Sequence, residues 1–311
     1  MVDTVHFRTH QPLQPSVREK LRLVPRGFSV EGHARASGAV GGMYVHADDR
    51  GTLVKGSLPQ HLRGENLTPF LRGDVSLAVK KIADDLEISE AYLREARVYR
   101  LDYGVNAVVS EPPSAYLRAL QDPASVGKRS HGWETATYGS APFQIEFYDK
   151  LLQMRRKHRA VFEDRLREAY EGKHVLRVEA RHLRRVPQQF ERRVVLGDLD
   201  EESFFALLGA RLSSETRRFR GAPPVLTGAA GDVKTMMREY QQAGIEAHGG
   251  KDAALARITE GAQSGILGRS QAYRQRQAVD RAMAATLSTQ QQDLVSELIR
   301  LVDVATVHAM S

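Results

Sequence analysis

The chain of 311 residues contains no cysteine. Disulfide bonds, thiolate zinc sites and a cysteine nucleophile are therefore excluded. Long hydrophobic runs are also missing, since none approaches the roughly 20 residues needed to cross a bilayer. The start, MVDTVHFRTHQPL, lacks the basic and then apolar pattern of a signal peptide. These absences predict a cytoplasmic protein with no membrane partner.

Aromatic residues are few, at 7% of the chain, although the apolar fraction of 41% is ordinary for a globular protein. The length suits one large domain or two modest ones. The net charge of +7 favours a polyanionic partner, with nucleic acid before an acidic membrane. A basic globular protein without such a partner explains the charge as well.

The residue pattern changes near position 195. Before it, alternating runs punctuated by glycine predict strands, including a long one at ARVYRLDYGVNAVVS. After it, apolar residues recur at helical spacing in segments separated by Gly-rich joints. The sequence therefore predicts an α+β fold, in which 1–195 form an antiparallel sheet with helices on one face. Residues 196–311 then form a smaller, mostly helical C-terminal domain.

Two basic segments are candidates for DNA contact. DKLLQMRRKHRAVFEDRLREAYEG, residues 149–172, predicts one helix that carries Arg155, Arg156 and Lys157 and ends at Gly172. SGILGRSQAYRQRQAVDRA predicts a turn and then a helix that offers Arg274 and Arg276. A solvated face explains the first segment and an amphipathic packing helix explains the second, so both alternatives stay open.

Three predicted strands each carry a charged face, because side chains alternate along a strand. The charged faces comprise Arg100 and Asp102 in VYRLDYGVN, Glu146, Tyr148 and Lys150 in FQIEFYDK, and Arg177, Glu179 and Arg181 in HVLRVEARH. A one-sided sheet whose wet face happens to be charged explains the pattern. Alternatively, Asp102 and Glu179, with Glu146, hold a hard divalent cation while the arginines neutralise DNA phosphates.

Tyr148 gains a chemical role under the second interpretation. A phenol with a pKa near 10 is a poor nucleophile at neutral pH, but a neighbouring metal ion or lysine favours the phenolate. Phosphoryl transfer depends mainly on charge stabilisation and in-line positioning. A tyrosine beside such groups can attack a phosphodiester and form a covalent link. The alternative is an ordinary strand tyrosine.

Five short motifs cover roughly residues 60–185. In order, they are GENLTPFLRGDVSLAVKKI, YRLDYGVNAVV, GWETATYG, IEFYDKLLQ and LRVEARH. With these motifs the chain resembles the rolling-circle replication initiators of filamentous phages, the gene II/X protein family, which are related to plasmid replication initiators. The resemblance implies nicking of one strand at a double-stranded origin, with Mg²⁺ or Mn²⁺, through a phosphotyrosyl intermediate. Rejoining of the displaced single strand would follow.

The resemblance also implies roles for individual residues. The nucleophile falls on Tyr148 in FYDK, with Tyr138 in TATYG as the competing nucleophile. The metal carboxylates fall on Asp102 in RLDYG and Glu179 in RVEAR. The groups that would offset phosphate charge are Arg100, Lys150, Arg177 and Arg181. A host helicase and polymerase would be the protein partners, in the bacterial cytoplasm.

Other functions stay open beside a replication initiator. Histidine-metal relaxases carry a His-hydrophobe-His pattern, which is absent from this sequence, so carboxylate ligation is the expectation here. A mobilisation relaxase that uses the same chemistry for conjugation is one alternative. A non-catalytic origin-binding regulator that keeps the fold is another, and it would bind DNA without Mg²⁺ and would not nick it.

Overall fold

The computed structural model describes residues 1–28, 34–120, 128–131, 134–219, 245, 250–283 and 289–310. The chain has an α+β fold, as predicted, and it divides into two compact units. The first unit comprises Met1–Phe219 together with Ser296–Ser311, and the second comprises Arg220–Val295. Among the described residues, no helix combines the length and the apolar character that membrane crossing requires.

Ten strands of the first unit form one sheet. The strands are β1 (Val2–Thr9), β2 (Val24–Phe28), β3 (Ala34–Val40), β4 (Met43–Asp48), β5 (Gly51–Ser57), β6 (Arg97–Val109), β7 (Lys128–His131), β8 (Thr135–Gly139), β9 (Phe143–Asp149) and β10 (His174–His182). Their order across the sheet is β2-β3-β4-β5-β1-β6-β10-β9-β8-β7, and every pairing is antiparallel. The predicted antiparallel sheet is therefore confirmed.

Helices connect the strands and form the C-terminal part of the chain. They are α1 (Pro15–Lys20), α2 (Leu58–Arg63), α3 (Arg72–Leu86), α4 (Glu90–Arg94), α5 (Pro113–Ala119), α6 (Lys150–Lys157), α7 (Arg159–Val161), α8 (Val186–Gln189), α9 (Glu202–Arg217), α10 (Gly250–Gln263), α11 (Arg269–Met283) and α12 (Thr289–Met310). A π-helical stretch covers Phe162–Leu166, and short 3₁₀ turns cover Glu168–Tyr170 and Leu196–Asp200.

One face of the sheet, called the apolar face below, packs against most of these helices. Ile82 of α3 lies against Val45 and Val54 of the sheet. Phe219, which follows α9, packs edge-on against Tyr138 and Phe147, with ring centroids 4.7 and 4.9 Å away. The alternation that buries these residues is the period-2 pattern of half-buried strands.

The other face, which carries Asp102, Glu146 and Glu179 and is called the polar face below, is partly covered by α6. Val175 shares this face with Glu179 by alternation, and it packs into a cluster with Leu151 and Met154 of α6. The loop between α2 and α3 contributes Leu67 to the same cluster. Helices therefore lie mainly on one face, and α6 closes one end of the other.

The single helix predicted over 149–172 is interrupted. His158 has φ −136° and ψ 43°, outside the helical region, and separates α6 from α7. The broken path lets Phe162 and Leu166 enter the same buried cluster as Met154. Gly172 has the positive φ of 68° that was expected at the end of this segment.

The predicted domain boundary near residue 195 falls inside the first unit. Ser213 of α9 and Thr306 of α12 form a buried hydroxyl pair at 3.3 Å. Glu297 of α12 accepts hydrogen bonds from the Tyr116 hydroxyl at 2.6 Å and the Ser110 hydroxyl at 2.8 Å. These contacts join α9 and most of α12 to the sheet, although both are helical segments that follow residue 195.

The second unit contains α10 and α11, which pack against each other. Ile258 of α10 and Ala272 and Val279 of α11 form its described core. Lys251 and Asp280 form an ion pair at 2.8 Å between the same two helices. The described part of this unit is helical, as the sequence pattern predicted.

Candidate functional site

The candidate site is built on four neighbouring strands of the polar face, and its first acidic group comes from an irregularity in β1. Val2 pairs with Tyr103 and Val5 pairs with Leu101, so β1 carries one residue more than β6 between these positions. This is a β-bulge, which bends a strand and re-aims side chains. Asp3 consequently contacts polar-face residues, although strict alternation with Val5 would place it on the apolar face.

The register of the three central strands brings the predicted residues together. Glu179 lies opposite Glu146 on β9, and Tyr148 lies opposite Arg177 on β10. Gly104 of β6 lies opposite Glu179, and a Cβ atom there would be 2.2 Å from the Val178 carbonyl oxygen. Only glycine permits this close approach of the two strands.

These residues surround a cavity of about 450 Å³ on the polar face, called the charged cavity below. Its acidic walls come from the four strands β1, β6, β9 and β10, and α6 supplies part of the rim. The ionisable groups that line it are Asp3, Arg100, Asp102, Glu134, Glu146, Tyr148, Asp149, Arg156, Lys157, Glu179 and Arg181. The structure thus gathers most of the predicted site residues around one opening.

Asp102 and Glu146 are held by arginines at the outer part of the cavity. The Arg100 Nε donates to Asp102 at 3.0 Å, and Arg181 lies 3.6 Å from the same carboxylate. Arg181 also donates to Glu146 at 3.0 Å. Asp102 is buried, and desolvation raises its pKa in spite of the neighbouring arginines.

Arg177 lies deeper and is almost fully buried, with 5% of its side chain exposed. It donates to Asp3 at 2.7 Å and to Glu179 at 3.3 Å, and a further bond reaches Asn106 at 3.1 Å. Arg177 was predicted to neutralise DNA phosphates, but burial instead makes it the internal partner of two carboxylates. In this position Arg177 compensates the charge of Asp3 and Glu179 and holds the two carboxylates in place.

The carboxylates on either side of Arg177 differ in their protonation behaviour. Burial alone would raise the pKa of Asp3, but the positive charges of Arg177 and Lys150 outweigh it and lower that pKa. The Ser57 hydroxyl supports the charged form through a hydrogen bond at 2.5 Å. Burial raises the pKa of Glu179, because the attraction of Arg177 does not compensate fully.

The Tyr148 hydroxyl points into the charged cavity and donates to Glu179 at 3.4 Å. Burial, followed by the nearby negative charge of Glu179, raises the pKa of Tyr148 well above 10. The phenol is therefore neutral in the resting arrangement, contrary to the expectation that its surroundings favour the phenolate. Glu179 is the acceptor nearest to its proton.

Lys150 is the first residue of α6 and is completely buried. Its ammonium donates to Asn66 at 2.7 Å and to Gln153 at 2.8 Å, and it lies 5.9 Å from the Tyr148 ring centroid. Burial, with a smaller contribution from Arg177, lowers the pKa of Lys150 to about 7. Lys150 can therefore gain or lose a proton near neutral pH.

Tyr138, the competing nucleophile of the sequence prediction, lies on the apolar face. It is fully buried between the rings of Phe147 and Phe219, and its hydroxyl donates to the Leu120 carbonyl oxygen at 3.3 Å. β8 pairs with β9, and Tyr138 lies opposite Ile145, so its side chain belongs to the core. This position gives Tyr138 no access to the charged cavity.

Three basic residues near the end of α6, Arg155, Arg156 and Lys157, differ in their surroundings, although all three are exposed. Arg156 and Lys157 line the charged cavity, and Arg156 donates to Glu134 at 2.5 Å. Arg155 lies over the Phe162 ring at 5.2 Å, away from the cavity lining. Arg156 and Lys157 are therefore the residues of this segment best situated to meet a phosphate.

Arg274 and Arg276 are exposed residues of α11 in the second unit. Arg274 donates to the Ser270 carbonyl oxygen at 3.3 Å, and Arg276 donates to the Thr259 hydroxyl at 2.9 Å. The opposite side of α11 packs through Ala272 and Val279. The helix is amphipathic, and its exposed side retains the two arginines that the sequence suggested for DNA contact.

The predicted metal ligands, Asp102, Glu146 and Glu179, suit Mg²⁺ or Mn²⁺ chemically, since hard cations prefer carboxylate oxygen. In this arrangement each of them pairs with an arginine. Across the residues that the structure describes, no group of three or more histidine, aspartate or glutamate side chains is arranged to hold a metal ion. A cation would therefore have to displace arginines, foremost Arg181.

Sequence reasoning missed Asp3, Ser57 and Asn66 as members of the site. Asn66 donates to Asp3 at 3.2 Å and accepts from Lys150. Its loop is held to the sheet by Asn106, which donates to the Leu67 carbonyl oxygen at 2.7 Å. Asp3 had one available signal, since it is the single acidic residue in the β1 sequence VDTVHFRT.

Comparison of the chain with protein-family models, with curated proteins and with solved structures gives no match. The resemblance to phage replication initiators therefore remains a hypothesis carried by the five sequence motifs.

Proposed function

We propose that the protein is a DNA nicking and strand-transfer enzyme that initiates rolling-circle replication at a phage or plasmid origin. The observation that carries this proposal is the Tyr148 hydroxyl, which opens onto a charged cavity beside Glu179 and the buried ammonium of Lys150. A polar nucleophile among charged groups in a concave site is the arrangement expected of a reaction centre.

In the proposed reaction, the Tyr148 oxygen attacks the scissile phosphorus while its proton passes to Glu179. The bond between phosphorus and the 3′ oxygen breaks, and the leaving 3′ oxygen takes a proton from water. The products are a 5′ phosphate on tyrosine and a free 3′-hydroxyl. Burial raises the pKa of Glu179, which makes this carboxylate a stronger base. Lys150 stabilises the developing phenolate from beside the ring.

Strand transfer is the reverse of this step with a second 3′-hydroxyl. That hydroxyl releases its proton to water as it attacks the phosphotyrosine, and a new phosphodiester forms. The bond between phosphorus and the Tyr148 oxygen breaks, and the proton held by Glu179 returns to that oxygen. No nucleotide hydrolysis is required, because the covalent intermediate conserves the phosphodiester bond energy. Arg156 and Lys157, at the rim of the cavity, would hold the strand on either side of the cut.

Mg²⁺ or Mn²⁺ held by Asp102 and Glu146, with Glu179 as a ligand through the oxygen that does not take the Tyr148 proton, would neutralise charge on the reacting phosphate. Arg181 now occupies two of these carboxylates, and it would be released to pair with phosphate oxygens when DNA enters. The exchange of ionic partners is reasonable because both arrangements keep every charge compensated.

The test uses supercoiled DNA from the protein's own genome, incubated with the full chain with and without Mg²⁺. We expect nicked circles and a denaturation-resistant adduct, which peptide mapping assigns to Tyr148. Tyr148→Phe should abolish the adduct, whereas the matched control Tyr138→Phe, ten positions away in the core, should retain it. An adduct that persists in Tyr148→Phe would remove the proposed mechanism.

A non-catalytic origin-binding regulator is the second candidate, and one observation favours it. All three predicted metal carboxylates are already paired with arginines, which a purely structural network would also show. This alternative expects origin binding that does not respond to Mg²⁺ and supercoiled DNA that stays intact under every condition of the same experiment.

A further inference from the structure

One edge of β6 is left without a strand partner in the described structure. β1 pairs with β6 only as far as Val2 opposite Tyr103, while β6 continues to Val109. The Gly104 N–H still donates to the Met1 carbonyl oxygen at 2.9 Å. Backbone groups alternate in direction along a strand, so those of Gly104 and Asn106 point the same way. The N–H and C=O of Asn106 therefore point to the edge of β6 where β1 has ended. This edge therefore offers an adjacent donor and acceptor.

A second cavity of about 280 Å³, called the apolar cavity below, lies along this edge. Thr68 and Phe70 of the α2–α3 loop form one wall. The C-terminal part of α12 forms another wall through Leu301, Val304 and His308. The lining is mostly apolar, and its polar groups are few and concentrated near β6.

The apolar cavity adjoins the charged cavity. Asp3 and Asn66 line both of them. Arg177 lines the apolar cavity and bonds to Asp3 and Glu179. Its Nε is buried without a hydrogen-bond partner among the described residues. A buried donor that lacks a partner is uncommon and marks a place where a polar ligand atom can be accommodated.

We propose that the apolar cavity binds one unstacked nucleobase of the strand whose phosphate occupies the charged cavity. The inference rests on the proposed function. The volume is just below the roughly 300 Å³ at which small-molecule pockets begin, so the cavity suits one planar ring system. The apolar walls can pack against the two faces of a base. The adjacent backbone N–H and C=O of Asn106 match the hydrogen-bond acceptors and donors on its edge.

This assignment deepens the proposed reaction in one respect. Withdrawing a base from the stack next to the cut would fix the backbone on both sides of the scissile phosphate, because sugar and phosphate move with the base. The DNA must then be single-stranded or locally unpaired at that nucleotide. The protein would therefore bind melted origin DNA more tightly than duplex origin DNA.

The first test is photocrosslinking of the full chain to a short oligodeoxythymidylate that carries 5-iododeoxyuridine at one position. We expect the crosslinked peptide to contain Phe70 or His308, the ring-bearing residues of the lining. Crosslinks confined to other surfaces would overturn the proposal. This measurement uses the unmodified protein, so it does not depend on the folding of any variant.

The second test fills the cavity from α12. Val304 lines the cavity and is 58% exposed, whereas Val307 is 61% exposed and does not line it. Val304→Trp should weaken binding of the unmodified oligodeoxythymidylate by about 5- to 150-fold, the loss expected for one stacked base. Val307→Trp, the matched control, should bind like the wild type. Equal affinity of the two variants would contradict the proposal.

Nicking of origin DNA by the same proteins separates the two hypotheses. If the base pocket is wrong but the proposed function is right, wild type and Val304→Trp nick equally and no crosslink reaches the cavity. If the proposed function is wrong but the base pocket is right, neither the wild type nor the variants nick DNA. The crosslink to the cavity and the weaker oligodeoxythymidylate binding of Val304→Trp are then still observed.

Discussion

Tyr138 and Tyr148 lie on adjacent strands and are both buried, yet they belong to different chemical environments. Tyr138 lies among aromatic rings on the apolar face, with a backbone carbonyl as its partner. Tyr148 faces a carboxylate and lies near an ammonium. The comparison shows that two buried tyrosines can have different electrostatic surroundings, because the hydroxyl of one meets a backbone carbonyl and that of the other meets a carboxylate.

The same contrast holds for the two faces of the sheet as a whole. The apolar face is stabilised by packing, so its residues act through the area they bury. The polar face contains four acids (Asp3, Asp102, Glu146, Glu179) and four cationic side chains (Arg100, Lys150, Arg177, Arg181) whose charges compensate one another. The stability of these eight side chains depends on each keeping a partner of opposite charge, rather than on the apolar area that they bury.

The largest expected effect comes from removing the central cation of the polar face. Arg177→Met should lower the free energy of unfolding by about 3–5 kcal/mol, because Asp3 and Glu179 would remain buried without the cation that forms ion pairs with both. Urea denaturation at neutral pH measures this change. Arg181→Met is the control, because this side chain is 24% exposed and its loss should cost about 1 kcal/mol or less. Equal losses would mean that the two arginines are energetically equivalent.

The next effect concerns Lys150 and the pH dependence of stability. Its pKa is about 7 in the folded protein against 10.5 in the unfolded chain, so between these values the unfolded state binds more protons. Stability should therefore rise as the pH increases from about 7 to about 9.5, by up to about 1.4 kcal/mol per pH unit. Lys150→Met should remove this rise in denaturation curves recorded across the interval. An unchanged slope in the variant would show that Lys150 is not the responsible group.

The smallest effect on stability is expected at the rim. Arg156 is 60% exposed and pairs with Glu134, so Arg156→Ala should leave the midpoint of urea denaturation unchanged. Its effect should instead appear in DNA binding, where the slope of log affinity against log salt should fall by about 1. Arg155→Ala, beside it but outside the cavity lining, should keep the wild-type slope. If both variants behave alike, the cavity rim does not define the path of the strand.

Alternation along the strands was sufficient to predict the sheet and the composition of its polar face. Asp102, Glu146 and Glu179 lie where a period of two places them, because β6, β9 and β10 pair without irregularity. The face on which Tyr148 lies follows from the same pattern. Local sequence determines these features, which is why they could be predicted without tertiary information.

Features that depend on long-range packing could not be predicted in this way. The interruption at His158 follows from the burial of Phe162 and Leu166 against Val175 and Leu67, which are distant in sequence. The burial of Arg177 depends on Asp3, which lies 174 positions away. The role of Asn66 depends on a loop that α6 and β6 hold in place. Periodicity contains no information about such contacts.

The extra residue in β1 has a consequence for how the protein tolerates change at its N-terminal strand. Because Asp3 reaches the charged cavity through this irregularity, regular pairing of β1 with its present residues would bring Asp3 opposite Tyr103 and exchange inside for outside at the start of the strand. An acid would then enter the hydrocarbon interior, and a valine would face the ions. The position of Asp3 therefore depends on the two-to-one pairing of β1 with β6 as well as on residue type, so we expect a regular strand here to lose this acidic group from the site.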